Sequence, residues 1–457
     1  MGSLVVAVDF GSTFTKAIAV DFGSGDLVAR AEHRTTIGTD VMDGWYACRA
    51  VLEEADRGIA KAEVMACSSA GGGLRIGVVG NEELVTAEAG RRVALSSGGR
   101  VVAVVNGGLT ATSLKALRKD RPDVVLLLGG TDGGNKAVLL KAAETLAKYS
   151  WRRPVVVAGN IEARTEIGET LGAAGVPHVL ADNVVPEIGV FAPDGARAAI
   201  REMFLAHVIG GKNLSKDPSF ARMVRAATPD VVLRGVEVLA GLHGDVAVVD
   251  IGGATTDVHS VIELDPEDAN LGREVVAPHP VTRTVEGDLG MRWSAIPVIA
   301  AGVDAGLVPD DESFRAAALR RHDDPSYLPD TAIETSYDET LARIAATVAL
   351  RRHAGRQRIV FGPGGRVIER SGKDLREVDL LVGSGGVLRH NGPDVAARIL
   401  GSVAANAQEE GWLVPERAAI GVDMDYVLAG VGLLADVDPT AAEGLARRIH
   451  GTVRAGH

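Results

Sequence analysis

The sequence has few cysteines, few aromatic residues and no long apolar run, and each shortage excludes a class of protein. Only two cysteines, Cys48 and Cys67, occur among 457 residues, too few for a four-cysteine metal site or a disulfide framework. We expect both to be small buried thiols. No apolar stretch reaches the roughly 18 residues of a membrane-spanning helix, and the N-terminus lacks the basic region of a signal peptide. The sequence therefore predicts a cytoplasmic protein that does not span a membrane.

Clustered positive charge is also missing. The formal net charge is −12, and basic residues form only short pairs such as Arg91-Arg92 and Arg351-Arg352. Sequence-independent binding of nucleic acid requires a concentrated positive surface, so we expect no nucleic-acid partner. The histidines include no His-x₃-His pair, which argues against a dedicated metal site. No Gly-x-Ser-x-Gly elbow of a hydrolase occurs either.

Glycine and apolar residues, by contrast, are plentiful. The chain has 56 glycines, and 46% of its residues are hydrophobic although only 4% are aromatic. This composition favours an α/β protein with many tight turns between strands and helices. The length suits two or three domains of about 100–200 residues each. Between residues 85 and 185, apolar runs alternate with helical patterns, which predicts a parallel sheet.

Local patterns predict further elements outside that region. Residues 4–8 and 17–21 are expected to form a hairpin, and residues 36–60 a helix with Asp40 or Asp43 near its cap. The remaining predictions are a mostly helical segment over 196–245, a strand pair over 246–251 and 256–262, a loop over 265–273, a helix continuing past Ala295, and a polar surface excursion over 309–340.

One motif occurs twice in the chain. Residues 8–16 are VDFGSTFTK and residues 249–257 are VDIGGATTD. Each is an apolar run followed by Asp, by a turn of glycine and hydroxyl residues, and by a second strand. Successive backbone N–H groups in such a turn form a concave anion site. Two of these loops predict a cleft that closes on a nucleotide phosphate from both sides.

The first motif supplies candidate phosphate and metal contacts. Gly11, Ser12 and Thr13 lie in the turn, where N–H and hydroxyl groups can donate to phosphate oxygens. Lys16 can add positive charge, although strand alternation does not settle its direction. Asp9 suits water-mediated coordination of Mg²⁺, which prefers a carboxylate and several waters. A simple hairpin turn with a capping Asp is the alternative.

The second motif repeats this chemistry. Asp250 ends a strand, Gly252 and Gly253 open backbone N–H groups to a ligand, and Thr255 follows. If Asp9 and Asp250 face each other across a cleft, they can share one metal and position an attacking water. Phosphoryl transfer depends mostly on such positioning and on charge stabilisation, so these two carboxylates are the candidate catalytic residues.

A third glycine-rich turn follows a buried strand over 380–382. It contains Gly383, Ser384, Gly385 and Gly386, and the missing side chains allow the backbone to approach a flat ring or a ribose. A dinucleotide-binding fold is the alternative, although that fold places its glycine fingerprint in the first βαβ unit.

The turn Gly129–Asn135 has the sequence GGTDGGN and follows another strand. Its N–H groups at a helix N-terminus could bind an anion, with help from Asp132. It is not a P-loop, because no Gly-Lys-Ser/Thr follows. A purely structural turn and a part of the working cleft are equally compatible with this pattern.

Taken in order, the three turns at residues 9–13, 250–255 and 383–386 resemble the phosphate, phosphate and adenosine loops of the actin, sugar-kinase and heat-shock-chaperone superfamily. Residues 286–290 (EGDLG) also resemble a turn of the chaperone branch. More narrowly, nearly the whole chain resembles the glutamate mutase L family, on the segments 9–16, 66–74, 129–135, 249–260 and 284–292.

The resemblance implies an α/β fold with duplicated actin-like (ribonuclease-H-like) ATPase lobes and an additional parallel α/β segment. On this basis residues 1–85 begin the N-terminal lobe and residues 86–195 are the parallel segment of, or inserted in, that lobe. Residues 196–245 are then a helical connection and residues 246–457 the C-terminal lobe.

The resemblance also implies a function. The family's role would be ATP-dependent, chaperone-like reactivation of an adenosylcobalamin-dependent glutamate mutase or related carbon-skeleton mutase. ATP and Mg²⁺ would be the cofactors, the mutase subunits the partners, and ATP hydrolysis the activity. ATP contacts carry over to the three turns, and Asp9 and Asp250 take the metal-positioning role. A small-molecule kinase of the same superfamily is the alternative, although its sugar pocket cannot be placed, and a nucleotide-binding module without hydrolysis is a third reading.

Overall fold

The computed structural model describes residues 3–264, 278–362, 365–405, 407–451 and 453–454. The chain divides into two compact units. The first comprises Met1–Gly235, Val275–His279 and Ala429–Leu445, and the second comprises Val236–Glu274, Pro280–Leu428 and Ala446–His457. The loop expected over 265–273 lies outside the described residues. The finer boundaries expected at residues 85, 195 and 245 stay predictions.

Both units combine strands with flanking helices. In chain order the strands of the first unit are β1 (Leu4–Phe10), β2 (Phe14–Asp21), β3 (Leu27–Arg34), β4 (Glu63–Ser68), β5 (Leu74–Val79), β6 (Gly99–Val105), β7 (Val124–Leu127), β8 (Val155–Val157), β9 (His178–Leu180) and β10 (Val224–Ala226). Those of the second unit are β11 (Val246–Ile251), β12 (Thr256–Val261), β13 (Val281–Glu286), β14 (Arg356–Gly362), β15 (Gly365–Ser371), β16 (Leu380–Ser384), β17 (Ala419–Val422) and β18 (Val453–Arg454). The α-helices are Val41–Ala55, Glu88–Ser96, Ala111–Lys119, Ala137–Lys148, Arg164–Ala173, Asp194–Met203, Ile209–Gly211, Pro218–Met223, Thr228–His243, Ala295–Asp304, Glu312–Asp323, Ala332–His353, Gly386–His390, Pro393–Gly401, Ala407–Glu410, Leu428–Leu434 and Pro439–Ala446.

The same sheet topology is built once in each unit. In the first unit the order is β10-β4-β1-β2-β3, and in the second it is β17-β16-β11-β12-β13, with β18 added at the edge. In both, the central strand (β1 or β11) pairs antiparallel with its hairpin partner and parallel with the strand on its other side. This repetition confirms the duplicated α/β architecture expected from the sequence.

The first unit contains a second sheet, of order β6-β5-β7-β8-β9, in which every pair is parallel. Helices Glu88–Ser96 and Asp194–Met203 pack on one face in the core shared with the first sheet. Helices Ala111–Lys119, Ala137–Lys148 and Arg164–Ala173 pack on the other face in a separate core. Covering both faces explains why these strands are continuous apolar runs. The additional parallel α/β segment predicted from the sequence is therefore confirmed.

Helix Val41–Ala55 shows how local sequence sets an element's ends. Asp40 caps it, because its side chain accepts a hydrogen bond from Met42 N at 2.9 Å, and Trp45 and Leu52 lie on its buried face. The helix is shorter than the predicted 36–60, since the chain leaves it at Asp56 for a short 3₁₀ turn.

The polar span 309–340 is not a simple surface excursion. It forms helix Glu312–Asp323 and the start of helix Ala332–His353. Arg321 is fully buried and pairs with Glu334 at 2.9 Å and with Asp338 at 2.6 Å. The density of charged residues predicted a solvent-exposed segment. These charges instead pair with one another inside the unit, which is the condition for burying charged groups.

The second unit also encloses a polar cluster between β12, β13 and helix Ala332–His353. Lys373 donates to Ser260 Oγ at 3.0 Å and to Thr282 Oγ1 at 2.8 Å. Both ring nitrogens of His353 have a hydroxyl partner: Nε2 lies 2.8 Å from Ser260 Oγ and Nδ1 lies 2.9 Å from Thr284 Oγ1. Burial, and then the charge of Lys373, lower the pKa of His353 to about 3.

None of the described helices is long and apolar enough to cross a membrane.

Candidate functional site

The first phosphate-type turn joins β1 to β2. Gly11 N donates to Phe14 O at 3.1 Å and closes the turn. Thr35, just after β3, holds the turn from the side: its hydroxyl donates to Gly11 O at 2.8 Å and its N–H to Thr13 O at 2.9 Å. A Cβ at Gly11 would lie only 2.5 Å from Phe14 O. Glycine is therefore required here by the close approach of the backbone.

The second turn, between β11 and β12, has the same hydrogen bond at the same place. Gly252 N donates to Thr255 O at 2.9 Å. Its carbonyls are held by the segment after β13: Met291 N donates to Gly252 O at 3.0 Å and Arg292 N to Gly253 O at 2.8 Å. Gly252 thus uses its N–H inside the turn and does not offer it to a ligand.

In both turns carbonyl groups accept hydrogen bonds from neighbouring segments, whereas several N–H groups are not used in this way. Ser12 and Thr13 are exposed, and their N–H groups, like those of Gly253 and Ala254, donate to no acceptor among the described residues. Rows of such N–H groups are what an anion requires of a backbone turn. The two turns therefore fit phosphate oxygens, one turn in each unit.

Asp9, the penultimate residue of β1, is buried, with 4% of its surface exposed. The strand register places Lys16 of β2 and Cys67 of β4 directly opposite it, and facing residues on paired strands share a side of the sheet. Lys16 is therefore on the side of Asp9, a point that the sequence left open. Asp9 Oδ1 accepts hydrogen bonds from Thr228 Oγ1 at 2.6 Å and Cys67 Sγ at 3.5 Å.

Cys67 itself behaves as a buried thiol, as expected. Burial, and then the nearby charge of Asp9, raise the pKa of Cys67 well above its usual value. Burial likewise raises the pKa of Cys48 to about 11. Both groups stay protonated at neutral pH, and the protonated thiol of Cys67 can donate to the Asp9 carboxylate.

Asp250 occupies the equivalent position on β11. The register places Asp257 of β12 and Ser384 of β16 opposite it. Asp257 is bound to Arg283 at 2.5 Å, and its other oxygen accepts from Thr255 Oγ1 at 3.2 Å. The guanidinium of Arg283 compensates the second carboxylate, so the pair does not leave two uncompensated charges side by side.

The third turn is built differently from the other two. Gly383 and Ser384 are buried within β16, and a Cβ at Gly383 would meet Leu388 at 2.6 Å. Only Gly385 and Gly386 reach the surface. Gly385 has φ 100° and ψ 160°, and a Cβ there would overlap the carbonyl oxygen of Ile251. This glycine lets the turn lie directly against the strand that carries Asp250.

The turn Gly129–Asn135 follows β7 and so belongs to the parallel sheet, not to the sheet that carries Asp9. Buried Asn160 donates to Thr131 O at 2.8 Å and Gly134 O at 3.1 Å. Asn183 donates to Gly130 O at 3.0 Å and Asp132 Oδ1 at 2.8 Å. These bonds hold the turn, and its backbone explains two of the glycines, since Gly130 has φ 68°, Gly133 has φ 73° and a Cβ at Gly130 would overlap Asn135 O. The turn thus has a structural explanation, and a part in the working cleft stays a prediction.

Within the described ranges no group of three or more His, Cys, Asp or Glu side chains is arranged to hold a metal ion. Mg²⁺ does not require one, because it is commonly bound through one or two carboxylates, waters and substrate phosphates. A carboxylate beside a phosphate-type turn in each unit fits that requirement. The sharing of one metal by Asp9 and Asp250 stays a prediction.

Reasoning from the sequence missed the residues that support these turns. Thr35 and Thr228 lie outside every motif, and neither carries a local signal of its role. The segment that holds the second turn did carry a signal, because residues 284–292 are part of the family resemblance. The sequence did not show the backbone hydrogen bonds that explain the role of this segment. Ser294 extends that support by donating to Ala254 O at 2.7 Å.

Comparison with known proteins gives one family and several distant structures. The family described as MutL protein matches residues 5–449. The "Protein MutL" of Clostridium tetanomorphum is 35% identical over 448 residues, covering 95% of this chain and 96% of that protein.

Two solved structures are similar at low identity. A nucleotide-free acetone carboxylase structure is 16% identical with a TM-score of 0.39, over 95% of this chain and 70% of that one. A xylulose kinase from Bifidobacterium adolescentis is 12% identical with a TM-score of 0.32, over 98% of this chain and 93% of that one.

Proposed function

The chain belongs to the MutL protein family, and we propose on that basis that it is an ATP-dependent accessory protein that reactivates an adenosylcobalamin-dependent glutamate mutase or related carbon-skeleton mutase. The observation that carries the ATP-dependent part is the repetition of one turn in two units. Gly11 N bonds Phe14 O and Gly252 N bonds Thr255 O, each directly after a strand whose penultimate residue is an aspartate.

Each turn has a defined task in this proposal. The N–H groups of Ser12, Thr13, Gly253 and Ala254 donate to phosphate oxygens, and the hydroxyls of the first turn add further donors. Thr35 and the segment Met291–Ser294 keep the carbonyls turned away, so that the N–H groups are oriented before a nucleotide binds.

The two aspartates orient water. Mg²⁺, when bound, neutralises charge on the phosphate oxygens. Each of the two carboxylates, Asp9 and Asp250, is suited to hold Mg²⁺ through waters, and either would be able to orient a separate water for attack on the terminal phosphate. Gly385 and Gly386 present backbone without side chains for the approach of the adenosine. The subunits of the mutase are the proposed partner.

Two measurements test this function. The first is steady-state ATP turnover of the purified protein, which we expect to rise when the mutase is added and to ignore sugars. Sugar-dependent turnover would instead identify a small-molecule kinase, and tight nucleotide binding without turnover a binding module.

The second measurement is recovery of a mutase whose cofactor has been inactivated. With this protein, ATP and fresh adenosylcobalamin, activity should return. It should not return with a non-hydrolysable ATP analogue. Equal recovery with and without the protein would refute the accessory role.

A further inference from the structure

Thr228 is the first residue of helix Thr228–His243, and it lies 219 positions from Asp9 in the sequence. Even so, its hydroxyl donates to Asp9 Oδ1 at 2.6 Å. That distance is typical of a hydroxyl bound to an ionised carboxylate, which is shorter and stronger than a bond between neutral groups. Thr228 is itself 8% exposed, so water has little access to the pair.

Asp9 depends on such a partner for its orientation. The terminal torsion of an Asp side chain has a broad profile, so packing around Cβ does not hold the plane of the carboxylate. Threonine is branched at Cβ and has few accessible χ1 rotamers. A hydroxyl fixed in this way, bonded to one oxygen, holds the carboxylate plane in place. The thiol of Cys67 contacts the same oxygen at 3.5 Å and adds a weaker donor.

We propose that Thr228 is a positioning residue that sets the Asp9 carboxylate for Mg²⁺-bound nucleotide, an inference that rests on the metal role assigned to Asp9 above. Mg²⁺ requires near-octahedral geometry and keeps several of its waters, so the direction of each carboxylate that receives those waters matters. Residues that orient metal-binding side chains typically change metal affinity or activity by about 10–100-fold when they are replaced.

The test compares Thr228→Val with Thr228→Ser by calorimetry. Affinity for ADP is measured with Mg²⁺ and again with EDTA, so that the contribution of the metal is the ratio of the two constants. We expect Thr228→Val, which lacks the donor, to reduce that ratio by about 10–100-fold. Thr228→Ser keeps the hydroxyl but loses the branch at Cβ, so its ratio should lie between those of the wild type and Thr228→Val. Affinity in EDTA should be the same in all variants.

Thr145→Val is the matched control. Thr145 is also a buried threonine of the first unit, 7% exposed. Its hydroxyl donates to Lys141 O at 2.8 Å within helix Ala137–Lys148, which packs on the parallel sheet. This variant removes a buried hydroxyl bond away from Asp9 and should keep the wild-type Mg²⁺ ratio. If Thr228→Val fails to fold, Thr228→Ala removes the same donor without adding a methyl group.

The outcomes separate this inference from the proposed function. A wild-type protein whose ADP affinity ignores Mg²⁺ would refute the metal role of Asp9, and the role of Thr228 with it. A wild-type protein that needs Mg²⁺, together with a donor-free variant that needs it equally, would refute only the role of Thr228.

Discussion

Replacing Gly385 with alanine should destabilise the second unit by about 2–6 kcal/mol, whereas the same change at Gly386 should be tolerated. Gly385 has φ 100° and ψ 160°, a region populated essentially by glycine, where another residue costs about 1–3 kcal/mol. The added Cβ would also overlap Ile251 O. Relieving an overlap in a packed region costs about 1–3 kcal/mol more.

Gly386 provides an internal control one residue away. It is exposed, and the nearest atom to a Cβ there is His390 Cδ2 at 3.9 Å, an ordinary contact. Because Gly386 begins a short helix, replacing it with alanine should leave the free energy of unfolding unchanged or raise it by about 1 kcal/mol. Both variants concern the same proposed adenosine turn, and they differ in backbone conformation and in the space available for a Cβ.

Urea denaturation followed by circular dichroism measures the difference. The midpoint should fall for Gly385→Ala with an unchanged slope, because the slope reports the surface exposed on unfolding. Calorimetry with ADP should show a parallel loss of affinity, since the displaced turn lies against the strand that carries Asp250. Equal midpoints for the two variants would refute the argument from backbone conformation.

Three further predictions follow from the same structure. Asp9→Ala should abolish Mg²⁺-supported ATP turnover while the circular dichroism spectrum stays native; normal turnover would show that Asp9 is not the metal carboxylate. Gly253→Val should weaken nucleotide binding, because a Cβ there lies 3.2 Å from the Trp293 ring and the branched side chain would shield the N–H; unchanged affinity by calorimetry would contradict this. The folded-state pKa of His353 is lowered to about 3 from an unfolded value near 6.5, so the stability it contributes is present above pH 6.5 and is lost as pH falls toward 3. In denaturation experiments, the slope of the free energy of unfolding against pH should approach about 1.4 kcal/mol per pH unit in this range. The slope should be smaller in His353→Gln. An identical pH profile in that variant would mean that other groups control the acid transition.

Much of the fold was accessible from the sequence because it depends on local patterns. Apolar runs between residues 85 and 185 predicted strands, and their alternation with helical patterns predicted that these strands are parallel. The errors arose where charge was taken as a sign of solvent. Arg321 and its two carboxylate partners are charged and so suggested a surface segment, yet they form a buried network. Arg321 is 13 residues or more from both partners, so no local pattern in the sequence indicates the pairing.

The sequence by itself determined where the two aspartate turns lie and what chemistry they can carry, because a strand, an acidic residue and a glycine turn are contiguous in the chain. Only the tertiary structure decided what holds those turns. Thr228 meets Asp9, Met291 and Arg292 bind the second turn, and Gly385 rests on Ile251. The physical reason is that sequence periodicity reports neighbours a few residues apart, whereas these contacts are set by strand order and burial, which bring together residues that are distant in the chain.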